Sequence, residues 1–134
     1  MESLFYIAAP EEHKILAAPL IVPPAIAMAS NTTEDAAVRQ SALKLLILLG
    51  DTPDTGDILF DAGVFPAMKT IVQARGSDWD DTSKNALDVI SNICLHRTVN
   101  EKLRKAGAHM FLRDLLSEPG FPGLQSALAL THIG

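Results

Sequence analysis

The chain has 134 residues, of which 48% are hydrophobic, 20% charged and 5% aromatic. That is room for one globular domain, and it excludes a disordered tail, while its dependence on alanine and leucine favours helix over sheet. A net charge of −5 argues against a broad basic surface for nucleic acid, and a single cysteine, Cys94, excludes a disulfide framework within the chain.

The first residues, Met1 to Ile7, lack the basic start of a signal peptide, so the cytoplasm is the expected compartment. The apolar run Ile15–Ala29 has 15 residues, short of the ~20 that cross a bilayer, and Pro19, Pro23 and Pro24 interrupt it. It is predicted as core split by a turn, giving helices over Glu12–Ala18 and Val22–Ala29. Asn31-Thr32-Thr33 fits the glycosylation sequon but reads as a polar loop before a helix over Glu34–Leu49.

A short helix follows over Asp54–Ala62, with Ile58, Leu59 and Ala62 inward, and Gly63 breaks it. Val64–Arg75 carries Phe65, Met68, Ile71 and Val72 on one stripe, and Pro66 is tolerable there in the first turn. Gly76-Ser77-Asp78 ends that helix. The next runs from Asp80 or Asp81 to Leu95, with Ala86, Val89, Ile90 and Ile93 inward. Val99–Ala106, His109–Leu116 and Phe121–Ile133 complete the series, with Pro119-Gly120 and Pro122-Gly123 as turns.

Sliding the chain by 44 residues superposes these landmarks. Ile15 falls on Leu59 and Leu103, Ala18 on Ala62 and Ala106, and Ala42-Leu43 on Ala86-Leu87. With three residues deleted, Ala127-Leu128 and Leu130 continue the series. The reading is one domain over 1–134, with 1–10 as the tail helix of a preceding partial repeat and repeats at 11–53, 54–97 and 98–134. Phe5, Ile7, Leu128 and Leu130 leave the ends apolar, where a self-contained array needs polar caps. The chain is therefore expected to belong to a longer array or to dock its ends, and those ends offer a self-association surface.

Gly63-Val64-Phe65-Pro66-Ala67-Met68 followed by Ala86-Leu87-Asp88-Val89-Ile90-Ser91-Asn92-Ile93-Cys94 resembles the armadillo pattern of a Gly, an apolar second helix and Ala-x-x-Ala-Leu-x-Asn-Leu-Ala. The resemblance covers about residues 11–133. It implies an all-α, right-handed solenoid of about three three-helix repeats, with the third helices lining a concave face. In armadillo proteins that bind peptides, the Asn at the place of Asn92 bonds the backbone of an extended peptide. Here Leu48 and Ile133 stand at the matching places of the other repeats, so there is no ladder of such residues.

His13, His96, His109 and His132 show no zinc-ligand spacing, and Asp78–Asp81 lack the calcium-loop pattern. No nucleophile-elbow, dinucleotide or phosphate-loop motif occurs. Neither an enzyme nor a cofactor is expected. Cys94 reads as a small buried thiol, and Leu112-Arg113-Asp114-Leu115-Leu116 as core packing rather than a recognition helix. Asp51, Asp54, Asp57 and Asp61 make one first helix acidic, whereas Arg97, Lys102, Arg104 and Lys105 make the next one basic. They are read as solvated faces, with guidance of a partner or of chain stacking as the alternative.

The expected function is a non-enzymatic scaffold or adaptor that binds a protein or extended peptide on the concave face. The contact residues are Arg39, Lys84, Asp88, Ser91 and Asn92, with Trp79 at the groove edge. Two alternatives stay open: a structural subunit packed against neighbouring subunits of a large assembly, and an Hsp70-type cochaperone.

Overall fold

A computed structural model of the chain describes residues 11–75 and 78–133, with side chains from residue 17 onward apart from residue 53. The described residues form eight helices and no strand: α1 Glu11–Ser30, α2 Ala36–Leu49, α3 Pro53–Asp61, α4 Val64–Gln73, α5 Asp81–Cys94, α6 Arg97–Lys105, α7 Ala108–Asp114 and α8 Phe121–Ile133. The expected tail helix at 1–10, including Phe5 and Ile7, lies outside the described residues.

The predicted turn inside Ile15–Ala29 is corrected: α1 is one helix of 20 residues that carries all three prolines. Ala18, Ile21, Val22, Ala25 and Ala29 are buried at helical spacing, while Pro19, Pro23 and Pro24 face outward. Each interior proline costs roughly 3 kcal/mol, and the stripe on the opposite face offsets it by packing continuously against α2. Asn31 then closes the loop, its Oδ1 accepting from the Thr33 backbone N–H at 3.0 Å and from the Thr33 hydroxyl at 2.6 Å. Further on, Leu59 is buried as expected, Ile58 is half-buried and Ala62 is exposed.

Gly63 (φ 90°) and Gly107 (φ 86°) sit at the same place in successive units, each in the left-handed conformation that lets a short helix turn sharply into the next. Asp80 starts α5 with a capping box: its carboxylate accepts from the Ser83 backbone N–H at 2.8 Å, and Ser83 Oγ accepts from the Asp80 N–H at 3.1 Å. These bonds hold the Asp80 carboxyl below its ordinary pKa.

The packing follows the period. Helix α2 packs on α5 and α5 on α8, while α3 packs on α6. Helices α4 and α7 meet through an edge-to-face Phe65–Phe111 pair, with centroids 6.0 Å apart. The core is one continuous cluster in which Leu43, Leu46, Leu87, Ile90, Ile93, Leu103 and Leu112 are fully buried. Each such side chain contributes about 1.5–3 kcal/mol on leaving water.

Candidate functional site

Helices α2, α5 and α8 meet along two seams, and the seams differ. Between α2 and α5 the seam is closed by polar bonds. Asn92 donates both amide hydrogens, to Ile47 O and to Asp51 Oδ1, each at 2.9 Å. His96 is buried and its Nε2 meets Gly50 O at 2.6 Å. A carbonyl can only accept, so Nε2 carries the hydrogen. The Thr55 hydroxyl caps the same helix end by donating to Leu49 O. Beside this seam, Lys102 of α6 reaches Asp57 at 3.2 Å and Asp61 at 3.4 Å on α3. The Asp57 bond foremost raises the Lys102 pKa. Part of the acidic and basic helices therefore serves stacking between units.

The seam between α5 and α8 is packed at its base, where Ala129 and Ile133 of α8 are buried, and open at its rim. Its central polar tie is Gln125 Nε2 donating to Asp88 Oδ1 at 2.8 Å. Burial pushes the Asp88 carboxyl up, and the Gln125 bond opposes that push. On either side of this tie lies a concavity. One, of about 320 Å³, is lined by Trp79, Lys84, Glu118, Pro119, Phe121 and Pro122, with Asp78 at its rim. The other, of about 270 Å³, lies between Ser91, Asn92 and Leu95 on one wall and Gln125, Leu128, Ala129 and His132 on the other. Residues early in both helices line the first and residues late in both line the second, so α5 and α8 run in the same direction.

The indole of Trp79 is braced from behind. The Arg75 guanidinium stacks over its ring at 4.2 Å, and Arg75 also bonds Glu118 at 2.5 Å and Val72 O at 2.8 Å. An aromatic held in one orientation loses little entropy when a partner covers it. On the α8 wall Leu128 is 53% and Phe121 38% exposed, and Leu95 at the end of α5 is 53% exposed, while Leu124, 64% exposed on α8, lines neither concavity. Leu95, Phe121 and Leu128, three of the seven large apolar residues exposed in the described part of the chain, line the two concavities.

The six expected contact residues do not form one cluster. Trp79 and Lys84 line the first concavity, Ser91 and Asn92 the second, and Asp88 sits between them. Ser91 is 8% exposed rather than on an open face, because its hydroxyl bonds back to Leu87 O at 3.0 Å. The Asn92 amide hydrogens are already engaged with α2 and Asp51. Arg39 lines neither concavity: its Nε donates to Ala29 O at 2.9 Å, which ties α2 to the end of α1, and, after the Ser83 bonds, its charge helps lower the Asp80 carboxyl at the start of α5.

The residues missed are those of the α8 wall. The three-residue deletion puts Ala127-Leu128 in register with the inward Ala86-Leu87. In the structure Pro122, Gly123, Ser126, Ala129 and Ile133 face the core, Leu130 is half-buried, and Ala127 and Leu128 face outward. The signal was present in Phe121, Leu124 and Leu128 at i, i+3 and i+7, opposite a set of small residues. Cys94 is buried, its thiol pushed up to about 12 by desolvation, which leaves it without nucleophilic character at neutral pH. Among the described residues no three His, Cys, Asp or Glu side chains converge on a cation site, and no described helix is long and apolar enough to cross a membrane. No protein-family model matches the chain, and no curated protein matches it.

Proposed function

We propose that the chain is an armadillo-like solenoid of about three repeats that works without catalysis, as an adaptor holding a protein partner in the open seam between α5 and α8. One observation carries the reading: α5 and α8 are bridged by Gln125–Asp88 while Leu95, Phe121 and Leu128 stay exposed in the lining of two concavities. A soluble surface seldom leaves such a set open unless something covers it. The test is a photocrosslinking amino acid at position 128 in the full chain, with one at exposed Ser30 on α1 as the reference. A discrete adduct at 128 absent from 30 is the expected result, and equal labelling at both positions refutes the reading.

A second reading, a subunit of a larger assembly, is favoured by the neighbours of α8. Among the described residues, helix α5 is covered by α2 on one side and α8 on the other, and α8 leaves Leu124 and Leu128 exposed. Self-association of the pure chain, lost on Leu124→Glu, supports this reading; a monomer at all concentrations supports the adaptor.

A further inference from the structure

We draw no further inference here: the strongest candidate, the apolar rim of the groove between α5 and α8 formed by Leu95, Phe121 and Leu128, carries nothing because nothing in the structure shows what covers it.

Discussion

Helix α5 has one seam on each flank, and they are made of the same kind of material put to different use. On the α2 flank, the Asn92 amide and the His96 ring each find an acceptor at the end of α2, and the apolar side chains between the helices are fully buried. On the α8 flank, Gln125 bonds Asp88, the buried side chains of α8 are mostly small, and its leucines face outward. In the closed seam both Asn92 amide hydrogens and the His96 Nε2 are engaged. The open one keeps rigid walls, because α8 is anchored from below by α6 and α7, and exposes apolar area between them. The first seam serves the fold, and the second leaves apolar surface uncovered at its rim.

The comparison breaks first if the closed side is not the stable one. Ile90 is fully buried on α5, and Ile90→Ala should cost about 2–5 kcal/mol in chemical denaturation, because the surrounding helices can only partly collapse into the space the side chain vacates. A destabilisation of only a fraction of that would show that the units pack more loosely than the geometry implies.

His96 sharpens the point. Its ring is fixed by Gly50 O and presses on α3, where a Cβ built on Gly56 would lie 2.8 Å from His96 Cδ2. Gly56→Ala, which in an open helix would stabilise by up to ~1 kcal/mol, should instead destabilise by roughly 1–3 kcal/mol from overpacking. The double variant Gly56→Ala with His96→Ala should recover part of that loss, and additive effects in the denaturation cycle would refute the contact.

Asp80 comes next, at the mouth of the open seam. Loss of its cap in Asp80→Ala should cost about 0.5–2 kcal/mol near neutral pH. The sign with pH follows from the lowered carboxyl. A group held below its ordinary pKa of about 3.9 stabilises the fold at pH above that value, and the stabilisation is lost as pH falls through the folded pKa. The gap between the parent and Asp80→Ala should therefore be full at pH 6 and close under strongly acid conditions. A gap that widens on acidification would contradict the capping box.

Much of the fold was legible, and particular residues show where legibility stopped. Stripes such as Phe65, Met68, Ile71 and Val72, or Ala86, Val89, Ile90 and Ile93, are buried as their spacing predicts, because helical period and burial are coupled directly. Gly63 marked its turn because only glycine takes that backbone without strain. The turn assigned at Pro19, Pro23 and Pro24 failed because local propensity lost to a continuous buried stripe. Of the site, Trp79, Lys84, Asp88, Ser91 and Asn92 were placed on the right helix or at its start, yet the α8 wall was invisible. Alignment by period assumes that equivalent helices turn equivalent faces inward, and Leu128 does not.

That difference gives the smallest effect in stability and the clearest contrast. Leu124 is aligned with Ser83 by the period less three, and Ser83 is almost fully buried in α5 while Leu124 is 64% exposed on α8. A surface substitution with no buried partner normally moves stability by less than about 0.5 kcal/mol. Leu124→Gln should therefore leave the denaturation midpoint nearly where it was, and should raise solubility by removing part of the exposed apolar wall. If Leu124→Gln instead costs as much as Ile90→Ala, then α8 is covered on its outer face in solution, the two flanks of α5 are alike, and the subunit reading displaces the adaptor.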